Sequence, residues 1–143
     1  MTAETAAYAF EDLQPGMTAS LGKTISEADI LLFAGISCDT NPVHLNEEFA
    51  SQTMFKGRIA HGMLSAALIS AVFGTRMPGP GCIYIGQELR FKAPVRAGDT
   101  VNAHVEVTET VPEKKFVKFR TWCTVGDKTV LDGSATIMVP ARG

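Results

Sequence analysis

From Gly62 to Gly74 the chain is apolar around the whole circumference of a helix, with Ser65 and Ser70 as its only polar side chains. A helix on a protein surface keeps one polar side for water, so this one calls for cover. Its apolar centre, Met63 to Phe73, falls well short of the ~18–20 residues that a bilayer crossing requires, which argues against a membrane partner. Within 143 residues, the cover has to be a sheet. The expectation is a central helix buried on every side. The length suits one domain, 1–143, burying roughly 68–70% of the surface its unfolded chain would expose.

The second half supplies the sheet. Pro78-Gly79-Pro80-Gly81 breaks the helix, and four runs with period-two alternation follow: Ile83 to Phe91, Thr100 to Thr108, Lys115 to Val125 and Thr129 to Val139. Val101, Ala103, Val105 and Val107 alternate with Asn102, His104 and Glu106, which places His104 on the polar face. Gly126-Asp127-Lys128 reads as a hairpin turn, and strands so closely connected pair antiparallel. The fold class expected is α+β: a hot-dog fold, a curved antiparallel sheet wrapped around a buried helix.

The first half reads as short elements. Pro15-Gly16 precedes a strand around Met17 to Lys23, and Ser26 with Asp29 marks a helix start. Ile30, Leu31, Phe33 and Ala34 recur at helical spacing, with Gly35 as the expected stop. Ser37 to Val43 reads as a loop, Asn46 as the cap of a short helix through Glu47, Glu48 and Phe49, and Thr53 to Arg58 as a second loop. Met1 to Phe10 has no basic residue and no apolar run, so no secretory signal is expected there. A formal net charge of −2 gives no reason to expect a nucleic acid as partner. Cys38, Cys82 and Cys123 are odd in number and widely spaced, the pattern of reduced thiols in the cytoplasm.

Chemistry concentrates in Cys38-Asp39-Thr40-Asn41-Pro42-Val43-His44. Asn41-Pro42 bends the chain between a carboxylate and an imidazole, so that both can be aimed into one cavity to hold a water and move its protons. The plainer reading is a turn-capping Asp39 and a surface His44. Ala60-His61-Gly62-Met63 opens the apolar helix, where free N–H groups and partial positive charge collect. Gly62 would let a ligand oxygen approach its N–H, as an oxyanion site requires, or would simply allow close packing. Asp39, His44 and His61 have no recognisable metal-ligand spacing, and Cys38 reads as a small buried residue rather than a nucleophile. Met54, Met63 and Met77 read as core filler, some of them lining a tunnel.

The run Ile36-Ser37-Cys38-Asp39-Thr40-Asn41-Pro42-Val43-His44 resembles the hydratase motif of the MaoC-like, (R)-specific enoyl-CoA hydratase family. Ile59-Ala60-His61-Gly62-Met63-Leu64 is similar to that family's central-helix entrance. Tyr84-Ile85-Gly86-Gln87, Phe91-Lys92-Ala93-Pro94-Val95 and Gly98-Asp99 resemble its first long strand and the turn beyond. The resemblance implies Asp39 and His44 as catalytic pair, the N–H of Gly62 as oxyanion donor and the Ser70 hydroxyl as a support. His61 belongs to the pattern as a structural hydrogen-bonder. Asn46 departs from it, since many relatives carry Asp there.

What the resemblance implies is reversible syn addition of water to a trans-2-enoyl-CoA, giving the (R)-3-hydroxyacyl-CoA. The reaction needs no metal or redox cofactor. It also implies a homodimer, which suits the open sheet edges of so small a fold. The alternatives are a dehydratase acting on carrier-protein-bound acyl chains, a hot-dog thioesterase, and a non-catalytic thioester-binding module. Thioesterases of this fold commonly place a carboxylate on the central helix, and Met63 to Phe73 has no Asp or Glu.

Overall fold

The computed structural model describes residues 7–143, so most of the Met1–Phe10 stretch, expected to hold no secretory signal, lies outside the described residues. A 3-10 turn at Phe10–Asp12 leads into β1 (Thr18–Thr24), and four helices follow: α1 (Glu27–Ser37), α2 (Pro42–Leu45), α3 (Glu47–Ser51) and α4 (Gly62–Thr75). The remaining strands are β2 (Ile83–Phe91), β3 (Thr100–Val111), β4 (Phe116–Val125) and β5 (Lys128–Met138). All five strands form one antiparallel sheet in the order β1-β3-β4-β5-β2. No helix among the described residues is long and apolar enough to cross a membrane.

Alternation builds the sheet as expected. Val101, Ala103, Val105 and Val107 of β3 are buried, as are Val117, Phe119, Thr121 and Cys123 of β4. Register shifts at Tyr84/Gly86, Val107/Glu109 and Cys123/Thr124 interrupt the ladders. Such bulges bend and twist a strand, which lets the sheet curl toward α4. Leu64, Ile69, Val72 and Phe73 of α4 fill the concave side, with Phe73 edge-on to Phe119 at 4.8 Å between ring centroids. Burying a side chain of that size contributes roughly 1.5–3 kcal/mol. The β4–β5 hairpin turns at Gly126-Asp127, with Gly126 at φ 61°.

The structure corrects four expectations. First, α4 is not buried on every side. Met63, Ala67, Ser70 and Gly74 form an exposed stripe, because the sheet covers only one side of the helix. Second, α1 runs through Gly35 and stops at Cys38, which takes the left-handed conformation (φ 65°) that ends many helices. Third, the loop expected from Ser37 to Val43 shrinks to residues 38–41. Ser37 completes α1, and Pro42 opens α2, where its missing N–H costs nothing. Fourth, Cys38 is exposed rather than buried. The Ser26–Asp29 capping box and the Asn46 cap of α3 stand as expected.

Candidate active site

Local hydrogen bonds shape the loop between α1 and α2. Ser37 Oγ donates to the Phe33 carbonyl at 2.6 Å and accepts the Asp39 N–H at 3.1 Å. Asp39 Oδ1 accepts the Asn41 N–H at 3.3 Å, and Asn41 Oδ1 accepts the Val43 N–H at 3.0 Å, capping α2. Asp39 is therefore a turn-former through one oxygen, while its Oδ2 lies 4.0 Å from His44 Nε2. That gap is too long for a direct hydrogen bond and suits one bridging oxygen about 2.8 Å from each atom.

The Ile59 carbonyl fixes the place of one proton on the His44 ring. Nδ1 lies 2.8 Å from the Ile59 carbonyl oxygen, which can only accept, so Nδ1 carries the proton. In the neutral ring this leaves the lone pair on Nε2, the nitrogen that lies toward Asp39 Oδ2. A neutral imidazole in this tautomer is a base aimed at the gap. His44 is 7% exposed, so it is not the surface residue that its loop alone would allow.

His61 ties this loop to α4. Its Nε2 donates to the Asp39 carbonyl at 2.9 Å, and its ring stacks on His44 at 3.8 Å between centroids and 28° between planes. Phe33 also lies against the His61 ring, tilted, at 5.0 Å between centroids. Asp39, His44 and His61 each offer a ligand-type atom within 4.8 Å of the others. Stacked rings send their lone pairs side by side rather than toward a shared centre, and His61 Nε2 is committed to a carbonyl. The cluster thus fits a proton-handling pair with a structural third member better than a metal cage.

A cavity of about 520 Å³ opens beside the pair, lined by Asp39, His61, Gly62 and Ser65 and by apolar residues including Phe55, Phe91, Val130 and Leu131. Gly62 begins α4, and His61 caps it without a side-chain hydrogen bond, which leaves first-turn N–H groups unclaimed by a cap. A Cβ at Gly62 would stand 2.6 Å from Cε1 of Phe91. The glycine thus lets the exposed Phe91 ring lie against the start of α4, and the wall they form is also the cavity wall.

Of the four expected site residues, Asp39 and Gly62 line the cavity, His44 faces Asp39, and Ser70 lies on the exposed stripe of α4, on which Met63 also reaches the cavity. Ser65 lines the cavity instead. It is 1% exposed, and its Oγ, like His61 Nδ1, has no hydrogen-bond partner among the described residues. An unmet buried polar atom costs roughly 1–3 kcal/mol. Its position three residues after Gly62, nearly one helical turn, was the available signal. Met77 is core as expected, whereas Met54 and Met63 are exposed residues of the cavity rim. His104 lies on the outer face, stacked on Trp122, and burial with the nearby Arg120 charge holds its pKa below the usual value.

Comparison with known proteins places this geometry in a lineage. The MaoC like domain matches residues 11–130. The (R)-specific enoyl-CoA hydratase of Rhodospirillum rubrum is 69% identical over 134 residues, covering 94% of this chain and 93% of that protein. The 3-hydroxybutyryl-CoA dehydratase of Methylorubrum extorquens is 53% identical over 133 residues, covering 93% and 85%. The solved structure of R-hydratase PhaJ1 from Pseudomonas aeruginosa superposes with a TM-score of 0.89 at 47% identity, over 95% of this chain and 88% of that one. A hot-dog sheet around α4, the Asp39–His44 pair beside its entrance and these matches together make the chain a member of the MaoC-like domain family.

Proposed function

We propose that the protein, acting through one domain of residues 1–143, is an (R)-specific enoyl-CoA hydratase. It adds water reversibly and syn to a trans-2-enoyl-CoA to give the (R)-3-hydroxyacyl-CoA. The observation that carries the roles is the 4.0 Å gap between Asp39 Oδ2 and Nε2 of His44, whose Nδ1 is held by the Ile59 carbonyl. A water held there gives its proton to one of the pair as its oxygen attacks the β-carbon, and a proton returns to the α-carbon from the same side. Negative charge developing on the thioester oxygen is met by the Gly62 N–H at the positive end of α4, a contribution of roughly 3–4 kcal/mol where water is excluded. The apolar cavity walls suit an acyl chain, and no cofactor enters the scheme.

Asp39→Asn and His44→Ala each lower the rate of crotonyl-CoA hydration at least about a hundredfold, with the fold retained. The loss of enoyl-thioester absorbance measures the rate, and the stereochemistry of the product tests the (R) assignment. Near-normal activity in either folded variant would overturn the assignment of the pair. The dehydratase alternative differs in carrier and direction, so the same assay run with carrier-protein thioesters separates them.

The functional unit proposed is a homodimer. Its support is the exposed α4 stripe together with β2, an edge strand that exposes Ile83, Tyr84, Ile85 and Phe91. In that arrangement Ser70 lies on the covered stripe and would support the site from there. Three unpaired cysteines suit a cytoplasmic setting.

A further inference from the structure

His44 sits in a helix of four residues, far too short to hold its own shape, so its position is imposed from outside. The segment Arg58–Ile59 does this by three bonds. The Ile59 N–H donates to the Val43 carbonyl at 3.2 Å, the Ile59 carbonyl accepts from His44 Nδ1 at 2.8 Å, and Arg58 Nε donates to the His44 carbonyl at 2.8 Å. The rest of the Arg58 guanidinium grips Glu27 of α1, Nη2 to Oε1 at 2.7 Å and Nη1 to Oε2 at 3.2 Å. Its backbone is held as well: the N–H donates to Glu47 Oε1 at 3.1 Å, and the carbonyl accepts from Arg96 Nη1 at 3.1 Å.

We propose that Arg58 is a positioning residue for the hydration reaction, one that fixes the His44 ring against the Ile59 carbonyl and thereby keeps Nε2 as the free base. The assignment rests on the hydratase reading of the same site. The guanidinium is needed for its shape: three donors in one plane reach a helix-end carbonyl on one edge and a carboxylate on the other. A lysine ammonium keeps the charge but cannot span both partners at those distances. Glu27 serves as the anchor that orients the fork, although its own side chain is largely exposed.

The test uses the full chain with Arg58→Lys, Arg58→Gln and Glu27→Gln. Kinetics with crotonyl-CoA are paired with 15N spectra of the histidine rings, of which the chain has three. Expected for Arg58→Lys is a turnover number lower by about ten- to fiftyfold, a KM within about threefold, and a fall in the Nδ1–H form of His44. Glu27→Gln shows the same pattern at about three- to fivefold and remains informative if the arginine variants fold poorly. An unchanged turnover number, or a raised KM with unchanged turnover, would overturn the proposal, the latter by making Arg58 a substrate contact. A His44 tautomer insensitive to all three substitutions would also overturn it. If the wild-type chain fails to hydrate crotonyl-CoA, the hydratase reading falls, while the ring spectra still decide whether Arg58 sets the tautomer.

Discussion

At Asp39 the two carboxylate oxygens have different surroundings: Oδ1 closes a turn with the Asn41 N–H, and Oδ2 faces His44. The same doubling occurs at Gly62, whose missing side chain serves both the Phe91 contact and the cavity wall. These roles separate by substitution. Gly62→Ala keeps the N–H but brings a methyl group against the exposed Phe91 ring, which has to turn aside, so it destabilises the fold by less than about 1 kcal/mol and lowers activity as the ring shifts in the cavity wall. Combining it with Phe91→Ala removes the clash and recovers activity relative to Gly62→Ala alone. Melting temperatures and turnover numbers of the single and double variants check this. If Phe91→Ala leaves the defect untouched, packing against that ring is not what Gly62 provides.

At the scale of elements, α1 shows what short-range chemistry can and cannot announce. Ser26 and Asp29 form a capping box, and Ser26→Ala should cost about 1 kcal/mol, read as a lower melting temperature with the hydration rate unchanged. That start was legible because the cap and its partner lie three residues apart. The stop was not. Gly35 looks like an end, yet the helix runs to Cys38, whose left-handed backbone is held by the bonds of its neighbours Ser37 and Asp39. The four strands of the second half were legible from alternation, and the Asp39–His44 loop from its bend and its family motif. Arg58 was not, since its partners Glu27 and His44 lie 31 and 14 residues away, beyond any local pattern. Ser65 was discounted because a serine on an apolar helix commonly bonds its own backbone, and here it does not.

At the scale of the molecule, the helix that seemed to demand burial all round is covered on one side only. A second copy laid over Met63, Ala67 and Ser70 would complete the burial that the composition calls for. Ala67→Glu should then yield a monomer by sedimentation and a large loss of turnover, because a charge on that stripe opposes burial against a partner. Ser70→Ala should leave the dimer intact and lower turnover roughly tenfold or more through lost support. A fully active Ala67→Glu monomer would refute the dimer as the working unit.

The acceptor that sets the His44 tautomer is the main-chain oxygen of Ile59, not a side chain. Every amino acid carries that oxygen, so mutation at position 59 can alter the cavity wall without erasing the atom that orients the His44 ring. Lineages descending from such a chain can therefore remodel the cavity wall while inheriting the His44 orientation intact.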